Sequence, residues 1–252
     1  MFLLPRNHYQ IKSADRKGRG VFARREIPAG TIIGDYLGRL MPEQAAARLE
    51  KNYGYACYAM DYDDNGLSIF PVDVKAPGVH LINHGCTPNC DSYYYLGHTL
   101  YFALRRIFPG EELTVDYSFD PESEGAVIRK DLLHHCACGS PLCRGTMYTS
   151  TAKLKRYGRF CREQAKKQPK FELLRAGMIL PPLAEYPKQI KDFSYYDIFA
   201  SLRVRPVLSR ERIVPDLRSL RQRLRIGGRP IRFSRLRLTI WGIAGRQLWG
   251  LK

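Results

Sequence analysis

Between residues 9 and 120, apolar and polar positions alternate over short stretches, and glycine or proline interrupts nearly every stretch before a helical period is established. Alternation with a period of two puts successive side chains on opposite faces, as in a half-buried strand. Val21 to Arg25 and Thr31 to Tyr36 therefore read as two strands, joined by a turn at Ile27-Pro28-Ala29-Gly30. Tyr55 to Tyr62, Leu67 to Val72, Thr99 to Ala103 and Glu112 to Val115 read as further strands, with a hairpin-type turn at Asn65-Gly66. Pro42 to Lys51 is the exception and reads as a short helix, with proline first, acid early, alanines inside and a base at the end. Many short strands separated by turns predict a mainly β domain.

The pattern changes after Gly145. Thr151 to Lys167 is helix-compatible, with Ser150 or Thr151 as N-cap. Pro181-Pro182 and Pro187 then interrupt, so this stretch reads as a linker or a wrapped extension. Ile213, Leu217, Leu220 and Leu224 fit one face of a helix stopped by Gly227-Gly228, a face fit to pack on the core or to pair two subunits. No apolar run approaches the roughly 18 residues of a membrane span, so no membrane insertion is expected. The opening MFLLPRNH is too short and too early broken by Pro5 to be expected to act as a secretory signal.

Charge divides the 252-residue chain in two. Residues 1–150 carry 16 Lys+Arg against 17 Asp+Glu, a net of −1, and residues 151–252 carry 25 against 7, a net of +18. Thirteen arginines and no lysine lie between Arg203 and Arg246. A near-neutral domain followed by such a segment points to a phosphate-bearing partner, with nucleic acid expected on residues 203–246; the competing account is a solvated helical surface.

Four segments carry candidate chemistry. In HCACGSPLCRG, Cys136, Cys138 and Cys143 form a C-x-C-x4-C cluster, three soft donors brought together by a turn. Tetrahedral zinc needs a fourth, and Cys86 and Cys90 of NHGCTPNC are both candidates. Seven cysteines, mostly in one region, suit reduced thiols better than a disulfide framework. Lys17-Gly18-Arg19-Gly20 is a glycine-bearing turn ahead of a strand, where backbone can approach a ligand closely. Asn83-His84 offers donors and acceptors for a polar ligand. GEELTVDY reads as a turn and a short strand ending in Tyr117. Alone, each of the last three is as well explained by structure as by function.

Together and in this order the four resemble a SET-domain protein-lysine methyltransferase with a cysteine-rich post-SET zinc module. KGRGVFA resembles the family's glycine motif, LINHGCTPN its N-H-S-C-x-P-N segment with Gly85 in place of serine, GEELTVDY its E-L-x-x-D-Y segment, and CACGSPLCRG the post-SET pattern. The resemblance covers residues 8 to 148. It implies a pseudo-knotted, β-clip-like SET fold over 8–120 and a post-SET zinc module over 132–148, followed by a basic, partly helical extension over 151–252.

It further implies S-adenosyl-L-methionine as methyl donor, contacted by Lys17, Gly18, Arg19, Gly20, Tyr58, Asn83, His84 and Tyr117, with Tyr117 and Tyr58 as active-site tyrosines. A structural zinc would take Cys86, Cys136, Cys138 and Cys143, with Cys90 as the alternative fourth ligand. His80 stands where the family commonly has arginine, and Val115, two before Tyr117, where it often has an aromatic residue that limits the number of methyl groups. The implied partner is a lysine-bearing protein. Acidic residues near the implied cleft (Asp61, Asp63, Asp64, Asp91, Asp120, Glu122, Glu124) suit a histone or another basic protein. The alternative is a non-catalytic SET-like module tethered to nucleic acid. An intracellular place is expected: nuclear chromatin in a eukaryote or for a host-directed effector, otherwise cytoplasm or nucleoid. Since the charge excess lies outside the motifs, truncation after about Gly158 is expected to leave peptide methylation largely intact.

Overall fold

The computed structural model describes residues 1–54, 66–119, 134–140, 142–169 and 175–191, and the backbone alone of residues 58–60, 225–226 and 229–230. Strand β1 (Tyr9–Ala14) and β2 (Gly18–Ala23) form an antiparallel hairpin. Next come β3 (Ile32–Asp35), β4 (Arg39–Pro42), helix α1 (Glu43–Tyr53), β5 (Tyr58–Met60), β6 (Leu67–Phe70) and the two-residue β7 (Asn83–His84). Strands β8 (Cys90–Tyr95), β9 (His98–Ala103) and β10 (Thr114–Val115), and helix α2 (Thr151–Lys167), complete the main body. Beyond it, β11 (Arg225–Ile226) pairs with β12 (Arg229–Pro230), while the helix expected over 213–224 lies outside the described residues.

The architecture is mainly β, as the alternation implies. Two three-stranded antiparallel sheets have the orders β3-β9-β8 and β4-β6-β5. Helix α1 starts after Pro42, whose missing N–H costs nothing at a helix start, and stops where Gly54 takes a left-handed φ of 68°. Strand β9 is buried at every position, flanked by β3 and β8, and so supplies Leu100 and Phe102 to the core. Ile27, Ile33, Leu40, Ile69, Ile82, Ile107 and Leu113 are likewise shut off from solvent, each contributing roughly 1.5–3 kcal/mol of burial. Strands β7 and β10 pair in parallel, Asn83 beside Thr114 and His84 beside Val115, which lays two sequence motifs side by side.

Residues 151–169 and 175–191 pack on this body. Helix α2 has the bounds the sequence gave reason to expect, with the Ser150 side chain accepting from the Lys153 N–H. Its Cys161 is fully buried, the Tyr157 hydroxyl lies 2.9 Å from that of Ser92, and Gln168 bonds Leu96 N–H and Tyr94 C=O. The proline-bearing stretch then runs as an edge: Met178 C=O accepts from Leu40, Leu180 donates to Gly38, and Ile190 donates to Gly30. Leu180 and Ile190 are buried, and the Tyr186 hydroxyl donates to the fully buried Asp35 at 2.8 Å. Of the two readings of this stretch, the wrapped extension is the one observed.

Candidate active site and metal centre

The glycine turn, Asn83 and the GEEL segment meet at one place. Pairing of β1 with β2 puts Gly20 opposite Lys12 and the turn at residues 15–17, where Gly18 takes φ +74°. A Cβ at Gly20 would stand 2.8 Å from Asn83 Nδ2 and 2.7 Å from Glu112 Oε1, so only glycine lets the hairpin approach them. Asn83 Nδ2 donates to Arg19 C=O at 3.0 Å and to Glu112 Oε1 at 2.9 Å, and Lys17 pairs with Glu112 Oε2 at 2.5 Å. A bare strip of backbone rimmed by an amide, a carboxylate and an ammonium fits a zwitterionic amino-acid group such as that of S-adenosylmethionine.

Tyr117 lies two residues beyond the end of β10. Its hydroxyl donates to Ile82 C=O at 3.1 Å, and its N–H donates to His84 Nδ1 at 3.2 Å. Desolvation, aided by the Glu112 carboxylate, pushes the phenol above its ordinary range, so it stays protonated at neutral pH. Burial lowers the His84 imidazole to about 4, against the pull of Asp116. Neutral, and accepting at Nδ1, His84 carries its proton on Nε2, which lies 3.4 Å from Cys86 Sγ. The His84 side chain is thus engaged between Tyr117 and Cys86. Gly85, next in line, has no room for the family's serine: a Cβ there would lie 2.8 Å from Thr114 Oγ1.

The sulfurs of Cys86, Cys136, Cys138 and Cys143 all lie within 4.8 Å of one another, with Cys86 at 3.6 Å from Cys136 and 4.0 Å from Cys143. Four thiolates around zinc at about 2.3 Å have sulfur–sulfur separations of about 3.8 Å, so the set fits a closed tetrahedral site. Main-chain N–H groups of Arg144, Gly145 and Cys138 point at Cys86, Cys143 and Cys136 sulfurs at 3.3–3.4 Å, as thiolates require. Burial pushes the Cys86 thiol up to about 11 and Cys136 higher still, so these two lose their protons at neutral pH only when a cation takes their place, whereas at Cys138 burial is outweighed by hydrogen bonds that bring it down to about 7. Cys90 is outside the cluster, buried on β8 with its thiol toward Asn89 Oδ1.

Asp116 ties the pieces together. Arg144 grips its carboxylate with both guanidinium nitrogens, at 2.9 and 2.8 Å, and Lys153 of α2 adds a third bond at 2.8 Å. Burial alone would raise the carboxyl, but Arg144 and Lys153 overcome it and hold the group at about 2. On the other side of Tyr117, Phe119 pairs with Tyr148 in a parallel bridge and stacks near His134, its ring 5.6 Å from that of Tyr117. An aromatic wall joins the tyrosine to the cysteine module.

Lys17, Gly18, Arg19, Gly20, Asn83, His84 and Tyr117 are thus neighbours, and the four cysteines lie beyond His84. Tyr58 pairs with Ile69 through its backbone, and its side chain lies outside the described residues, as do Asp61, Asp63, Asp64, Asp120, Glu122 and Glu124. Desolvation pushes the Asp91 carboxyl up to about 7, which weakens it as a neutral-pH anion for a basic peptide. Sequence reasoning passed over Glu112, Asn89, Asp116 and Arg144. Asn89 was within the quoted motif, and its side chain bridges Glu112 C=O and Thr114 N–H at 2.8 and 2.9 Å. Glu112 and Asp116 lie in GEELTVDY and Arg144 in HCACGSPLCRG, but their roles emerge only from the three-dimensional pairing.

Residues 18–118 match the SET domain. The chain is 37% identical over 134 residues to the histone-lysine N-methyltransferase trithorax of Drosophila virilis, covering 50% of this chain and 3% of that protein. It is 36% identical over 134 residues to human histone-lysine N-methyltransferase 2B, covering 50% of this chain and 5% of the relative. With the H3 lysine-9 specific histone-lysine N-methyltransferase of Schizosaccharomyces pombe it shares 36% over 160 residues, 55% of this chain and 32% of the relative. The chain therefore spans a small part, at most about a third, of these relatives. The motifs that converge on Asn83 and Tyr117 lie within or beside the matched stretch, so residues 18–118 form a SET domain similar to that found in histone-lysine N-methyltransferases.

Proposed function

We propose that the chain transfers methyl groups from S-adenosylmethionine to the ε-amine of a lysine in a protein substrate, with histones as the substrate class. The observation that carries this reading is the convergence of the glycine turn, Asn83, Glu112 and Tyr117 through the parallel β7–β10 pairing. Bound S-adenosylmethionine supplies a methyl group already activated on a sulfonium. The protein's task is then alignment rather than strong acid–base work. Tyr117 spends its proton on Ile82 C=O, and its oxygen lone pairs are left to orient the incoming amine. Held above its ordinary pKa range, it does not serve as the base. The lysine sheds its proton because an aromatic, poorly hydrated channel disfavours the ammonium. Tyr58 is assigned to the same channel from the motif alone.

The four cysteines would hold one structural zinc ion, with every position filled by protein and none left for water. Its part is to fold residues 134–148 against Tyr117 through Phe119 and Tyr148. A chromatin location follows from a histone substrate wherever the cell has a nucleus. The arginines of residues 203–246 are assigned to nucleic acid on charge, and the face containing Ile213 and Leu217 to self-association. Incubating the full chain with labelled S-adenosylmethionine and panels of histones and ribosomal proteins tests the activity. Label on histone lysine is the expected result. Absence of both label and calorimetric binding of the methyl donor overturns it.

A further inference from the structure

Helix α2 has a second face that the methyltransferase reading does not use. Its inner side is committed: Lys153 holds Asp116, Tyr157 meets Ser92, and Cys161 is buried. Outside lie Lys155, Arg159, Arg162 and Lys166, all exposed and spaced by four, three and four residues, so they line one side of the helix. Lys167 is a further exposed base, about 100° round the helix from Lys166. None of these five makes an ion pair with any described residue, and Glu163 is the helix's single acid. The stripe is about 16 Å long at about 1.5 Å per residue. Among the described residues, no ion pair relieves the self-repulsion along it.

We propose that the outer face of α2 binds the phosphate backbone of double-stranded nucleic acid. A duplex carries about one negative charge per 1.7 Å of axis, so the stripe would face roughly ten charges, a density few acidic proteins present. A lipid surface fits less well, because the apolar side of α2 is already turned into the core and has nothing to insert. Binding of this kind is independent of base sequence. The surface is distinct from residues 203–246, and because its inner face touches Asp116, bound nucleic acid would lie on the helix that braces the active-site strand.

The test uses the full chain and a labelled mixed-sequence DNA duplex, with affinity measured across a salt series. Replacing Lys155, Arg159, Arg162 and Lys166 together by glutamine, which keeps helix propensity and touches no buried group, should weaken binding at low salt at least tenfold. It should also reduce the slope of log affinity against log salt by about 3 to 4, at roughly 0.9 per lost phosphate contact. Methylation of a short peptide by the same variant should be unchanged, which shows that the fold survives. Unchanged duplex binding in this variant, with loss instead on replacing four arginines within 203–246, overturns the assignment. So does a wild-type chain that shows no salt-dependent binding. Equal competition by polyglutamate at matched charge transfers the surface to an acidic protein, and equal binding to phosphatidylserine vesicles transfers it to a membrane; either refutes the proposal. A chain that binds duplex yet methylates nothing would refute the proposed enzyme and leave this surface standing.

Discussion

Replacing Asp116 with asparagine removes a charge on which two separate parts of the chain converge. Its side chain is 4% exposed and accepts three charge-assisted bonds, two from Arg144 and one from Lys153. The carboxyl is held at about 2 instead of 3.8, and at about 1.4 kcal/mol per unit this shift contributes about 2 kcal/mol to stability. The folded-state value is the lower one, so the contribution is complete above about pH 4 and is lost only as pH falls through about 2. Asp116→Asn should therefore unfold in urea with about 2 kcal/mol less stability, by the same amount at pH 6 and at pH 8. Lys153 is 39% exposed and its share is screened, so Lys153→Met should cost only about 1 kcal/mol. In the double variant the two costs should fall short of additivity, because once Asp116 is neutral Lys153 has no charge there to pair with.

Because Asp116 directly precedes Tyr117, the same substitution should lower kcat about tenfold or more while changing KM for peptide by less. That split separates a loosened active-site strand from a merely less stable protein, which would keep kcat per folded molecule. An Asp116→Asn chain within about 0.5 kcal/mol of wild type would refute the clamp.

Tyr117→Phe should cut turnover sharply while calorimetric affinity for S-adenosylmethionine stays within a few-fold, since the hydroxyl acts on amine and methyl and not on the adenosine. Metal analysis should find one zinc per chain, lost together with activity in Cys86→Ser and retained in Cys90→Ser, whose thiol lies in the core away from the cluster. A chain ending at residue 169 loses buried Leu180 and Ile190, roughly 3–6 kcal/mol, and should aggregate or melt well below the full chain.

What could be read in advance follows from range. Helix α2 was readable to the residue because its start is a local matter, a serine accepting from an N–H three residues on. Strands β2, β3, β6 and β9 announced themselves by alternation, within a few residues at their ends. Strand β1 did not, since Lys12 and Ser13 are exposed and its register is set by the glycine hairpin. Nor did β8, whose Cys90, Asp91 and Ser92 continue a turn-rich motif and gain their strand only from β9. The site divides in the same way. Its motifs are short strings, but Glu112 and Asp116 read as solvated acids until Lys17, 95 residues away from the one, and Arg144, 28 from the other, are placed beside them.

Packing on the main body continues beyond residue 148, and this bears on mechanism. Prolines and a sudden basic bias look like the end of a domain, because neither feature builds a strand interior. Yet an edge needs only alternate N–H groups, and Leu180 and Ile190 supply them to Gly38 and Gly30 while Pro181, Pro182 and Pro187 fall between. The cysteine module is consequently held from two sides. His84 and Cys86 reach it from the β7 motif, and Lys153 reaches the same Asp116 carboxylate that Arg144 grips next to Cys143. The four cysteines, helix α2 and the segment carrying Asp116 and Tyr117 form one connected set, in which each fixes the geometry that the others need. A module held only by its metal would fold and open with metal occupancy; one also braced by a helix keeps the aromatic wall of Phe119 and Tyr148 beside Tyr117 when a substrate chain pushes through.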